Sequence, residues 1–349
     1  MMTSLGETMC SGFVNHLLNR LYTLFPTARL PNICAFVSAI GSHSYYQLKR
    51  GSPAYEAALQ AAADVVTIAE ASGLTVSVKG ILWNQGENDV YTTTRDAYAA
   101  SMRQFQRDLA QDFARITGQR DRVVLFLIQT NRVLSSSIPF GEVQLAQVDA
   151  DATPDIRIVG PMYPYPMSTY STADSHVHHN NTGQNRIGQM AARAVFAEIY
   201  GAGWRAVLPY HVYWYSTTVL VVACTAPTLP LVLDTSGDVS ISGMATKDGF
   251  YLHKADTTSA ATISTVAIGS FGVLTNNAVV LTLSAPPASG DVFLSYAMIA
   301  DAYDGSAASE DGPVTGPRGC IHDSTVDVSL YDSHAGYNWM PAWTLKVQG

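Results

Sequence analysis

Apolar residues recur three and four positions apart over Glu7–Leu24, Pro53–Ala71, Thr93–Ile116, Pro139–Ala150 and Thr182–Tyr200. That period predicts helices with one apolar face. Between them lie short apolar, β-branched runs at Ile33–Ala39, Val76–Trp83, Val123–Gln129 and Ile156–Gly160. Runs without polar alternation predict strands buried on both faces. Strands alternating with helices predict a mostly parallel sheet covered by helices on both sides, a three-layer α/β arrangement. In such sheets functional groups gather just beyond the carboxyl ends of the strands.

The pattern changes after Trp204. From Tyr210 onward Val, Thr, Ser and Gly dominate and the helical period is lost. Short runs at Val212–Cys224, Leu229–Leu233, Phe250–His253, Ala261–Ile268, Ala278–Leu283 and Asp291–Met298 are separated by turn-forming clusters such as Asp234–Gly237 and Pro286–Gly290. That spacing predicts an antiparallel β-sandwich. The boundaries expected are residues 1–203 for the α/β domain and 204–349 for the sandwich. Asp301–Pro317 is acidic and rich in small residues, and reads as a surface loop. The aromatic end, Tyr337–Trp343, closes the sandwich or docks it on the first domain.

Composition narrows the classes. Of 349 residues, 47% are hydrophobic and 14% charged, enough for a sizeable core and too apolar for a disordered chain. The net charge of -8, with no basic patch, speaks against nucleic acid and anionic membrane as partners. No apolar run reaches the about 18 residues a membrane span needs. Met1–Ser4 lacks the basic and apolar regions of a signal peptide, so either that export route is unused or the true start lies upstream. Cys10, Cys34, Cys224 and Cys320 form no C-x-x-C pair; isolated thiols are the simpler expectation, with two disulfides the alternative.

Three stretches carry candidate chemistry. Gly80–Asp89 ends a strand in a dense polar set: Asn84, Gln85, Glu87, Asn88 and Asp89. Buried together they need a matched hydrogen-bond network. Asn or Gln there can donate to a developing oxyanion, and Glu can hold the loop. The plain alternative is a strand-to-helix connection with an N-cap. Asp174–Gly183, the second stretch, places Asp174, His176, His178 and His179 before a helix. A metal site or a solvated loop are its competing readings. The third is Ser38–Ser44, with Gly41 after a predicted strand.

Trp83-x-Gln85-Gly86-Glu87-x-Asp89 resembles the W-x-Q-G-E-x-D signature of sialate O-acetylesterase-like members of the SGNH hydrolase superfamily. Gly86-Glu87-Asn88-Asp89 also satisfies that superfamily's G-x-N-D block, and Asp174–Gly183 is similar to its D-x-x-H-x-x-x-x-G block, with one extra residue between Asp174 and His178. The resemblance covers most of residues 6–200 and implies a flavodoxin-like three-layer sheet. It implies an oxyanion hole from the Gly41 N–H and from Asn88 first, Gln85 second, with Glu87 and Asp89 in support. It implies His178 as base, held by Asp174; His176 is the alternative base. An imidazole takes the proton of a serine hydroxyl and returns it to the leaving alcohol, and a carboxylate on its other nitrogen fixes the tautomer.

The family's first block, G-D/Q-S at the end of the first strand, has no counterpart before Glu7. Four parallel strands are readable where the fold uses five. The expectation is that the first strand and its nucleophilic serine lie upstream of Met1. The alternatives are a strand from another chain, or recruitment of Ser4, Ser11 or Ser42. The implied activity is removal of O-acetyl groups from carbohydrate. It needs no cofactor and no metal, takes an acetylated glycan as partner and leaves room for a homo-oligomer. Similar chains occur in secreted bacterial and phage-tail contexts. The rival reading is an inactive glycan-binding or virion structural protein, with Trp214, Tyr215 and Trp343 stacking on sugars.

Overall fold

The computed structural model describes residues 9–90, 92–130, 141–167, 178–272, 274–299 and 312–349. The first half contains α1 (Met9–Leu24), α2 (Tyr45–Leu48), α3 (Pro53–Ala71), β1 (Gly80–Trp83), α4 (Arg95–Thr117), β2 (Val124–Gln129), α5 (Glu142–Ala150), β3 (Ile156–Pro161) and α6 (Asn181–Tyr200). The caps explain the helix starts. Ser52 accepts from Tyr55 N at 3.2 Å ahead of Pro53, and Asn180 accepts from Gly183 N at 2.8 Å. Gly118, left-handed at φ 68°, stops α4.

The sheet is parallel, in the order β1-β2-β3, with Gly80 opposite Val124 and Leu125 opposite Ile156. Every residue of β2 and β3 is buried. One packed layer, including Trp83, Met102, Phe105 and Leu125, lies towards α3 and α4. The other, including Leu17, Phe126, Ile187 and Met190, lies towards α1 and α6.

Among the described residues three parallel strands form, not the four expected. Ile33–Ala39 has strand composition but forms no strand, and β1 begins only at Gly80. Among the described residues nothing pairs with the outer edge of β1. A strand's N–H and C=O groups need a neighbouring strand; without one, water satisfies them and extended geometry gains nothing. Phe36 and Val37 are 45% and 63% exposed.

Helices α1 and α6 cross at backbone contact. A Cβ on Gly12 would run into the Asn185 carbonyl, and one on Gly188 into the Met9 carbonyl. The crossing sets the start of α1 at the carboxyl edge of the sheet, where Asn84 Nδ2 lies 3.8 Å from Met9 Sδ.

The second half is antiparallel, and the change of architecture falls between α6 and β4. Its elements are β4 (Leu208–Ser216), β5 (Val219–Thr225), β6 (Leu231–Leu233), β7 (Phe250–Lys254), β8 (Ile263–Phe271), β9 (Leu274–Leu283), β10 (Val292–Tyr296), a short helix α7 (Gly312–Thr315), β11 (Ile321–Asp323), β12 (Asp327–Val328), β13 (Ala335–Gly336) and β14 (Trp343–Lys346). The larger sheets run β4-β5-β9-β8 and β14-β10-β7. Val212, Leu220, Leu281, Leu252, Leu294 and Trp343 share the core of this sandwich. The aromatic end does both things expected of it. Trp339 and Trp343 are buried in that core, while Tyr163, just past β3, donates to Met340 O at 2.9 Å. Gln129, ending β2, clasps Ala342, donating to its carbonyl at 3.0 Å and accepting from its N–H at 2.7 Å. All four cysteines are free.

Candidate active site

Strand β1 delivers Asn84–Asp89 to the carboxyl edge of the sheet. Gly86 makes the descent at φ 152°, and a Cβ there would press into Val143 and Thr130. The turn therefore lies flat on α5 and the end of β2. Glu87 accepts from Thr130 Oγ1 at 2.9 Å. Gln147, on α5, donates to Gln85 O at 3.0 Å and accepts from Thr130 N at 3.1 Å.

A relay then runs outward to the 41–45 loop. Trp83 Nε1 donates to the Tyr98 hydroxyl at 3.2 Å, and that hydroxyl donates to Gln85 Oε1 at 2.8 Å. Gln85 Nε2 donates to His43 O at 3.1 Å and to the Asp89 carboxylate. The same carboxylate oxygen accepts from Tyr45 N at 2.9 Å, at the start of α2. Burial raises the Asp89 carboxyl above its ordinary value, against the pull of the hydrogen bonds from Gln85 and Tyr45 N. Burial pushes the Tyr98 phenol well above 10, so Tyr98 stays a donor.

An amide nitrogen has two hydrogens. Both of those on Gln85 are engaged inside the protein, which makes it the holder of the 41–45 loop. Asn88 is exposed and donates to Ser42 O at 3.3 Å, which uses one of its two amide hydrogens. Gly41 is exposed, with nothing within 4 Å of where a Cβ would sit. The left-handed conformation falls instead on Ser42, at φ 61°. His43 turns back, its Nδ1 2.9 Å from Gly41 O.

His178 is exposed, at the head of α6. Asp174 and His176 lie outside the described residues, as does Ser4; Ser11 sits half-buried in α1. The backbone around His178 is fixed by its neighbours. His179 bridges Met167 in antiparallel fashion, and Asn180 N donates to Pro166 O at 3.2 Å. A Cβ on Gly183 would run into the same Pro166 carbonyl. Burial lowers His179 to about 4, against the pull of backbone contacts with Pro166 and Tyr165. A buried ring this weakly basic serves as an anchor and makes a poor general base.

The network thus ties the 84–89 turn to the 41–45 loop, while His179, next to His178, bridges Met167, six residues past the end of β3. Among the described residues no three His, Cys, Asp or Glu side chains converge as a metal site. Of the aromatics considered for sugar stacking, Trp343 is core, Trp214 packs against the core and Tyr215 is 63% exposed. Sequence reasoning missed Tyr98, Gln147 and Thr130. Tyr98 and Gln147 are polar tips among mostly apolar buried helix residues, a signal weaker than a motif.

No curated protein matches the chain. Residues 27–197 match the family described as carbohydrate esterase, sialic acid-specific acetylesterase. That stretch holds β1 to β3, the 84–89 turn, the 41–45 loop and His178, and over it the chain is similar to that family of carbohydrate acetylesterase-type hydrolases.

Proposed function

We propose that the protein acts as a serine-type hydrolase on O-acetyl esters of a glycan, with His178 as general base, Asp174 as its carboxylate partner, and Gly41 N–H and Asn88 as oxyanion donors. A serine oxygen attacks the ester carbonyl as His178 takes its proton. The tetrahedral oxyanion collapses, the sugar alcohol leaves with that proton, and water releases acetate from the acyl-enzyme in a second, mirrored round. Gln85 and Asp89 hold the 41–45 loop in place, and Glu87 ties the 84–89 turn to Thr130. Residues 1–203 form the hydrolase in this reading and 204–349 its sandwich.

The observation that carries it is the hydrogen-bonded tie from Gln85, Asn88 and Asp89 to the 42–45 backbone. It holds a candidate oxyanion loop rigid, which is what electrostatic stabilisation needs. The serine arrives, in this reading, on a strand that pairs with the open edge of β1. That edge and the solvent-facing apolar side chains of Phe36 and Val37 support a missing neighbour.

The test is to produce the chain together with the coding sequence that precedes it, and to assay p-nitrophenyl acetate and O-acetylated sugars. Hydrolysis is expected, with His178→Ala slowing it roughly 10²- to 10⁴-fold. An unchanged rate in that variant would remove His178 from the mechanism. Glycan binding without turnover in the extended protein would favour the rival binding role.

A further inference from the structure

The sandwich grips α6 along one face. Arg186, Gln189 and Arg193 stand at helical spacing and all point to residues 329–337. Arg186 donates to Asp332 Oδ2 from Nε at 3.0 Å and from Nη2 at 2.6 Å, with Asp238 3.8 Å from Nη1. Gln189 donates to Ser329 Oγ at 3.1 Å. Arg193 donates to the carbonyls of Gly336 and Tyr337 at 3.2 and 2.9 Å. From α1, His16 and Arg20 meet Asp327. Asp238 in turn pairs with His334 at 2.7 Å.

The same sandwich reaches the other end of the histidine segment. Gly312, at φ 86°, lies so close to Met167 that a Cβ would run into that side chain. Met167 is the residue that bridges His179. Both supports of the segment carrying His178 are thus held by the second half of the chain: Met167 by Gly312, and the first turns of α6 by Asp332, Asp238 and Ser329.

We infer that the sandwich is a working part of the hydrolytic unit and that Arg186 is a positioning residue for His178, acting through α6. The inference rests on the proposed role of His178. Arg186 stands two turns into α6, its side chain 16% exposed and joined to two carboxylates, while the helix start is fixed to Pro166 by Asn180 and Gly183. A shift of α6 along the sandwich therefore moves His178, two residues before its cap.

The experiment uses the full chain with isotope-labelled histidine, comparing wild type with Arg186→Gln, and with Asp332→Asn should the first fail to fold. The His178 ring resonance is expected to shift or broaden, and amides 178–183 to exchange roughly fivefold to tenfold faster. His211 and His253, in β4 and β7, should keep their signals. The charge swap Arg186→Asp with Asp332→Arg should restore the His178 signal. A drop in melting temperature with an unmoved His178 resonance would overturn the inference, reducing Arg186 to a structural latch. These signals are read without ester hydrolysis, so failure here and failure of the esterase reading are separate results.

Discussion

The two sides of the parallel sheet differ sharply. On the β2–β3 side every strand residue is buried, between α1 and α6 on one face and α4 and α5 on the other. On the β1 side Gly80 is exposed, Ile81 and Leu82 are half-buried, and Ile33–Ala39 stays unpaired. Ile33–Ala39 and Val124–Gln129 are both short apolar runs flanked by polar residues. The difference lies in neighbours. A parallel strand forms only against a partner, as β1 and β3 do against β2, so local composition proposes a strand and the partner decides it.

The largest effect that tests this contrast comes from the closed side. Phe126 is 1% exposed in β2. Phe126→Ala should lose about 3–5 kcal/mol, from the lost transfer of the ring plus the cavity left behind. Urea unfolding of the full chain gives the number. A loss below about 1 kcal/mol would mean the closed side is as loosely packed as the open one.

A second effect is pH-dependent and lies where β3 hands over to α6. Burial holds His179 at about 4 in the folded chain, against 6.5 for its ordinary value. Below pH 6.5 the unfolded chain takes up a proton that the folded chain refuses. Stability therefore falls as pH drops from about 6.5 to about 4, by up to about 3 kcal/mol, and the loss levels off below that. Melting curves of wild type and His179→Gln across this window should diverge, with the variant flatter. Parallel curves would show that His179 is not neutral in the fold.

These two positions also show what the sequence could tell. Helical and strand patterns placed the five long helices and the three parallel strands within a few residues, because those elements bury a face that the pattern reports. Val76–Lys79 and Ile33–Ala39 carried the same signal and failed, because no period encodes the presence of a neighbouring strand. The site was legible at the 84–89 turn, where a cluster of amides and carboxylates behind a strand is unusual. Legibility ended at Tyr98 and Gln147. Each is a polar group on a buried helix side, and only the tertiary fold brings them to Gln85, 13 and 62 residues away.

A smaller effect sits on the 41–45 loop. Ser42 adopts φ 61°, a conformation that costs a side chain about 1 kcal/mol and glycine little. Ser42→Gly should therefore leave stability unchanged or raise it by up to about 1 kcal/mol, the gain being partly offset by the freer unfolded chain. A clear loss would mean that the Ser42 side chain makes a contact that outweighs the strain.

The smallest effect belongs to the open side, where Phe36 is nearly half exposed outside any strand. A ring in water contributes little to folding, so Phe36→Ser should change unfolding free energy by less than about 0.5 kcal/mol. Its effect should appear instead in association. An exposed apolar segment beside an unpaired strand edge is a template for self-pairing, and a serine there should lower the aggregated fraction seen by light scattering. In the upstream-extended protein the same substitution should become costly, because a strand on the β1 edge would give Ile33–Ala39 a neighbour and bury the ring. The difference between the two backgrounds, near zero in one and about 3 kcal/mol in the other, measures the missing neighbour directly. Equal small effects in both would leave the open edge a permanent feature of this sheet.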